Sequence, residues 1–245
     1  MKNNHLKYKS AWLIGSSGEI GESFSKILSE YADKISLCDM KNSSEIINKG
    51  NNFWKIDCAD DKQFKKFADE SVVMFGSPDL MLLTAGYVFS SDLTNTSSNE
   101  LDKIYSNNFK LVSIALKLFF EKCSKDVNIP KNIIVVSSNA GLEPRPNQPV
   151  YAAMKSAINS LVKSQAAMWG KYNIKINAIA PGTVVVNRNI VSLKKKYPDF
   201  PIDLSRPLGR ISFPEDLHSI CRFLLDQKLL MTGQILVIDG GSSLT

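Results

Sequence analysis

The chain has 245 residues, 44% hydrophobic and 22% charged, with 30 basic against 24 acidic side chains and a net charge of +6. These values exclude a disordered chain, and the length excludes a small scaffold held by disulfides. No apolar run reaches the ~18–20 residues of a membrane helix, and the lysines are scattered, so neither membrane nor nucleic acid is expected as a partner.

Met1 to His5 lead into a short apolar patch, Ala11-Trp12-Leu13-Ile14, which Gly15-Ser16-Ser17 interrupts. That is too short for a secretory signal, so the patch reads as a buried first strand, Ser10–Ile14. The segment Ile20–Tyr31 places Ile20, Phe24, Ile27, Leu28 and Tyr31 on one helical face. Strands are predicted at Ile35–Cys38, Trp54–Ile56 and Leu80–Thr84, a long helix at Leu101–Phe120, and a strand at Ile133–Ser137. A second long helix, Val150–Tyr172, precedes strands at Lys175–Ala180 and Ile235–Ile238. The strands are short and apolar without polar alternation, as in sheets covered on both faces. Strand–helix alternation predicts an α/β fold, a doubly wound parallel sheet of seven strands with helices on both faces. No linker or repeat divides the chain, so 1–245 reads as a single domain. Its least regular stretch, Thr183–Pro207, contains Pro198, Pro201 and Pro207 and reads as a lid or substrate loop. Lys194-Lys195-Lys196 within it is either a solvated face or a mild attraction for anionic substrates.

Cys38, Cys58, Cys123 and Cys221 are far apart, with no C-x-x-C pair. They read as buried free thiols in a reducing cytoplasm, and no metal site is expected. His5 and His218 are the only histidines. Both read as solvated, which removes histidine-based triads.

Gly15-Ser16-Ser17-Gly18-Glu19-Ile20-Gly21 joins the first strand to the first helix. Glycines there allow a tight turn and close backbone approach to a pyrophosphate, and the helix N-terminus favours an anion. A plain tight turn is the alternative. Asp39 lies eighteen residues past Gly21, at the end of the second strand. A carboxylate there can accept bonds from both ribose hydroxyls and would repel a 2′-phosphate, so NAD is expected over NADP. Alternatively, Asp39 caps the following helix.

Tyr151 and Lys155 are four residues apart, on one face of a predicted helix. A free tyrosine has a pKa near ~10, and a neighbouring ammonium lowers it by stabilising the phenolate. The pair suits proton transfer to or from a hydroxyl. Ser138 follows the strand Ile133–Ser137, at the carboxyl edge where doubly wound sheets bind ligands.

Taken with these motifs, nearly the whole chain resembles the short-chain dehydrogenase/reductase family, in its single-domain branch. Gly15–Gly21 resembles the family's nucleotide turn, Asp57 its adenine-contacting aspartate, and Leu83-Thr84-Ala85-Gly86 its N-N-A-G segment. Asn108 resembles its helix asparagine, Ser138, Tyr151 and Lys155 its catalytic residues, and Pro181-Gly182 the turn bordering the nicotinamide. Thr232-Gly233-Gln234 and Val237-Ile238-Asp239-Gly240-Gly241 are also similar. The resemblance implies a cofactor site of Gly15, Ser17, Gly18, Ile20, Gly21, Asp39, Asp57, Cys58, Ala85, Gly86, Tyr151, Lys155, Pro181 and Gly182. Three positions depart from the pattern. Glu19 stands where the middle glycine is usual, and an acid beside a pyrophosphate is unfavourable unless it points to solvent. Thr84 replaces an asparagine, and Val186 a threonine that often bonds the nicotinamide amide.

The resemblance implies reversible hydride transfer between nicotinamide and a secondary alcohol or ketone. Tyr151 would be the acid/base, Lys155 its activator, Ser138 the substrate-orienting hydroxyl, and Asn108 a proton-relay residue. The stretch Ser138-Asn139-Ala140 with Pro144-Arg145 is similar to that of 2,3-dihydro-2,3-dihydroxybenzoate dehydrogenases, so Arg145 could meet a substrate carboxylate; otherwise it is a surface residue. Cyclic, carboxylated or sugar-like substrates are expected. A 3-oxoacyl-type reductase using NADPH and a catalytically silent nucleotide-binding sensor or structural subunit stay open. Relatives form tetramers through two long helices, matched here by Leu101–Phe120 and Val150–Tyr172. The stripe Leu111, Ile114, Ala115 and Leu118 is either part of that interface or core.

Overall fold

The computed structural model describes residues 7–41, 50–197 and 199–244. Met1, His5 and Pro198 therefore lie outside the described residues. The strands are β1 (Tyr8–Ile14), β2 (Ala32–Asp39), β3 (Asn51–Lys55), β4 (Leu80–Leu83), β5 (Lys131–Val136), β6 (Ile174–Pro181) and β7 (Ile235–Ile238). They form one seven-stranded sheet in the order β3-β2-β1-β4-β5-β6-β7. Every pairing is parallel. The order reverses direction between β1 and β4, which opens a crevice at their carboxyl ends.

Alternate residues of each central strand serve different layers. Trp12, Ile14, Met81, Leu83, Ile133 and Val135 pack on one face against α2 (Asp61–Phe75), α4 (Leu111–Lys122) and α5 (Pro149–Trp169). Leu13, Leu80, Leu82, Ile134 and Val136 pack on the other against α1 (Glu19–Tyr31) and α7 (His218–Leu225). Both faces are apolar, which is why the strands show no polar alternation in sequence. Asp60 caps α2 by accepting from Lys62 N and Gln63 N at 2.9 and 3.0 Å.

Three expectations change. Leu101–Phe120 is not one regular helix. It runs as α3 (Ser98–Tyr105), a π-helical turn Ser106–Lys110, and α4. Thr183–Pro207 is not merely irregular, because it contains α6 (Asn187–Lys196), whose Leu193 packs with Val185 and Ile211. His218 is not simply solvated: it is half-buried, and its Nε2 lies 2.6 Å from Ser23 Oγ, tying α7 to α1. Leu111, Ala115 and Leu118 are buried in the core and Ile114 packs against it, so this stripe is interior. All four cysteines are buried free thiols. Among the described residues no helix is long and apolar enough to cross a membrane.

Candidate active site

At the carboxyl ends of β1 and β4 lies a cavity of about 520 Å³. Gly15, Ser17, Gly18, Ile20, Gly21, Asp39, Asp57, Cys58, Ala85 and Gly86 all line it. Close packing explains two of the glycines. Gly15 has φ +85°, and a Cβ there would lie 2.4 Å from Ala85 N. A Cβ on Gly21 would lie 2.1 Å from Gly15 O. The turn is thus pressed between β4 and α1. Thr84 closes it from below, its Oγ1 donating to Ile14 O at 3.0 Å and to Gly15 O at 2.9 Å. Gly18 is different: a Cβ there meets nothing closer than Gly15 O at 3.6 Å. As the exposed N-cap of α1 it has no side chain to cap the helix, which suits an external anion.

Asp39 ends β2, and its carboxylate accepts from Ser17 N at 3.0 Å and from Met40 N at 2.6 Å. It braces the phosphate turn, while a carboxylate keeps further lone pairs for a ligand. Asp57 accepts from Ala59 N at 2.8 Å in its own turn. Cys58 Sγ lies 3.7 Å from Cys38 Sγ. Burial pushes the Cys38 thiol well up, so it is an inert core group behind Cys58, which lines the cavity.

The candidate catalytic residues lie outside the cavity lining and beside it. Ser138 follows β5 and accepts from Ala140 N at 3.1 Å, starting the short 3-10 turn Asn139–Gly141. That turn is seated directly on α5. A Cβ on Gly141 would lie 2.7 Å from the carbonyl carbon of Lys155. Gly141 O accepts from Ser156 Oγ at 2.8 Å and from Asn159 Nδ2 at 3.3 Å, and Ser137 Oγ donates to Asn159 Oδ1 at 2.6 Å. Tyr151 and Lys155 both stand buried on α5. Lys155 Nζ donates to Val136 O at 3.3 Å and lies 5.6 Å from the centre of the Tyr151 ring.

Asn108 sits in the π-helical turn, fully buried. Its Nδ2 donates to Ile104 O at 2.9 Å and to Tyr87 O at 2.8 Å. A Cβ on Gly86 would fall 3.2 Å from Asn108 Oδ1 and 3.5 Å from Lys155 Nζ. Asn108 and Lys155 therefore converge on Gly86, at the cavity edge. Only glycine leaves that space open. The arrangement brings an ammonium and an amide to one small polar space, with the Tyr151 ring 5.6 Å from that ammonium.

Pro181 ends β6, and Gly182 N donates to Ile238 O at 3.1 Å. Gly182 presses on Asp239, which accepts from Asn139 Nδ2 at 3.2 Å and from Ser243 N at 2.9 Å. Burial works against the Asp239 charge, but the bonds from Ser243, Asn139, Gly241 and Ser242 outweigh it and hold the carboxyl below its ordinary range. Asp239 thus fastens the carboxyl-terminal turn to the residue after Ser138. Arg145 pairs with Glu143 through Nη2, while its Nε is buried without a hydrogen-bond partner.

Lys41, the one basic residue just after Asp39 in sequence, also lines the cavity, and so does Asn187, which carried no sequence signal. Glu19 does not point away into solvent: it is half-buried, and its Oε1 accepts from Asn187 N at 2.6 Å. The departure of Glu19 from glycine was the one hint of that contact.

Against known proteins, the sequence profile of the family described as enoyl-(acyl carrier protein) reductase matches residues 16–243. The L-rhamnose 1-dehydrogenase (NADP(+)) of Thermoplasma acidophilum is 28% identical over 96% of this chain and 96% of its own. The 3-oxoacyl-[acyl-carrier-protein] reductase of Thermotoga maritima is 30% identical over 76% of this chain and 74% of its own. A short-chain dehydrogenase from Leptospira borgpetersenii with bound NAD+ superposes with a TM-score of 0.87 at 24% identity, covering 99% of this chain and 96% of that one. The glycine-sculpted turn fits a dinucleotide phosphate, and the chain belongs to the short-chain dehydrogenase/reductase family of NAD(P)-dependent oxidoreductases.

Proposed function

We propose that this enzyme moves a hydride reversibly between a nicotinamide cofactor, NAD(H) in preference, and a secondary alcohol or its ketone. The bound nicotinamide supplies the hydride acceptor or donor. Tyr151 gives or takes the hydroxyl proton, Lys155 stabilises the phenolate, Ser138 orients the substrate oxygen, and Asn108 links Lys155 to solvent. The convergence of Asn108 and Lys155 on Gly86, beside the helix that carries Tyr151, supports this reading most strongly. Tyr151→Phe should lose at least about a hundredfold in turnover, the lower range for general acid–base catalysis, while still quenching with NADH. Full activity in Tyr151→Phe would overturn the reading and favour a silent nucleotide-binding role.

Asp39 in the cavity wall supports NAD(H), because its charge opposes a 2′-phosphate. Lys41 in the same wall, with the NADP(+)-linked rhamnose relative, supports a second reading as an NADPH reductase. For the substrate we favour a cyclic, carboxylated or sugar-like alcohol. Arg145 is the proposed partner of such a carboxylate; in the structure it is paired with Glu143, and its Nε is buried, so it would have to leave that pair to reach a substrate. Residues 183–207 would form the substrate segment of a single domain. The family expectation is a tetramer, and light scattering at micromolar concentration giving a monomer mass would remove it.

A further inference from the structure

Glu19 and Asn187 are 168 residues apart in sequence, yet both line the dinucleotide cavity and are joined by the 2.6 Å bond from Asn187 N to Glu19 Oε1. Glu19 is the first residue of α1, and Asn187 the first of α6. The bond therefore ties the phosphate turn to the segment that follows β6. That segment is internally stiff. Val186 N donates to Asn189 Oδ1 at 2.8 Å, and Asn189 Nδ2 donates to Val184 O at 2.8 Å. Its other end is anchored by Val185 N on Ser212 O at 2.8 Å.

We propose that Glu19 is an affinity-determining gate for the dinucleotide: its carboxylate must leave Asn187 before an anionic cofactor can lie along Gly15–Gly21. The inference rests on the cofactor reading above and adds what this chain does differently. The amino ends of α1 and α6 both favour an anion. In the structure Glu19 supplies that anion to α6 from the first turn of α1. An incoming pyrophosphate brings more negative charge to the same place, so carboxylate and phosphate exclude each other. Opening the gate frees Asn187 N, while the bond from Val185 N to Ser212 O keeps the rest of the segment in place.

The full-length protein tests this with two variants. Glu19→Gln keeps an acceptor for Asn187 N without the charge, and Glu19→Ala removes both. A gate closed about nine-tenths of the time raises the apparent Kd about tenfold. Stopped-flow fluorescence should then show NADH binding to Glu19→Ala about tenfold faster than to wild type, with Glu19→Gln between them. In cofactor-free protein, amide exchange at Asn187 should speed up in Glu19→Ala. Unchanged NADH association in both variants, or unchanged exchange at Asn187, overturns the gate. If wild type and both variants bind neither NADH nor NADPH, the cofactor reading itself falls, and the gate falls with it.

Discussion

A glycine-to-alanine series along the phosphate turn tests the geometry of the site most directly. At Gly15 an added methyl would lie 2.4 Å from Ala85 N on backbone with φ +85°. The left-handed conformation costs alanine about 1–2 kcal/mol. Forcing the neighbouring backbone aside adds about 1–3 kcal/mol. Together that is about 2–5 kcal/mol, or a fall in Tm of at least about 4 °C for a chain of this size. At Gly21 the methyl would lie 2.1 Å from Gly15 O, so α1 must retreat from the turn and NADH affinity should fall with stability. Gly18 is the control, because its nearest contact is an ordinary 3.6 Å. Losing glycine at this N-cap costs only about 1 kcal/mol or less. Thermal denaturation followed by circular dichroism, with NADH titration of each variant, measures both effects. If Gly15→Ala melts no lower than Gly18→Ala, the turn is not packed as described.

Other outcomes follow from the same contacts. Asp39→Asn should shift the ratio of NADPH to NADH affinity by about tenfold toward NADPH, equivalent to ~1.4 kcal/mol; an unchanged ratio in paired titrations would remove Asp39 as the selector. Acid should destabilise the protein in a defined direction. Bonds from Arg210 hold the Asp216 carboxyl below its ordinary range, and Asp239 is lowered too, because its bonds outweigh its burial. Depressed folded values mean that their contribution is present above the unfolded value of about 4 and is lost as pH falls through the folded values. Urea midpoints measured from about pH 6 down to about pH 3 should therefore decline. Arg210→Gln, which removes the paired bonds to Asp216, should decline less steeply. Midpoints that stay flat in both proteins would contradict this assignment.

What the sequence made legible was the part governed by short-range pattern. Strands covered on both faces appear as unbroken apolar runs, and Tyr151 and Lys155 fall one helical turn apart wherever the helix goes. Local bonds hid the rest. The π-helical turn arises because Asn108 Nδ2 takes Ile104 O, while Leu111 N reaches back five residues to Ser106 O. No hydrophobic period announces that. The strand β1 begins at Tyr8 rather than Ser10, where the buried Asp79 carboxylate accepts from Lys9 N and Ser10 N at 2.9 and 3.1 Å. Helix α6 was obscured by prolines and three lysines; its stability comes from Leu193 against Ile211, residues that sequence does not bring together. The Glu19 contact could not be read from either residue alone, since only folding brings position 187 to position 19.

The seating of Gly141 on the backbone of α5 has a consequence for how such an enzyme can diversify. The hydroxyl, phenol and ammonium are carried by one strand end and one helix, clamped by Ser156 and Asn159. None of those clamps involves residues 183–207. If Ser138, Tyr151 and Lys155 act as proposed, their geometry is mechanically independent of residues 183–207. Mutations could then accumulate in that segment without detuning the proposed proton transfer. A chain of this construction can change its substrate over generations while keeping its chemistry intact.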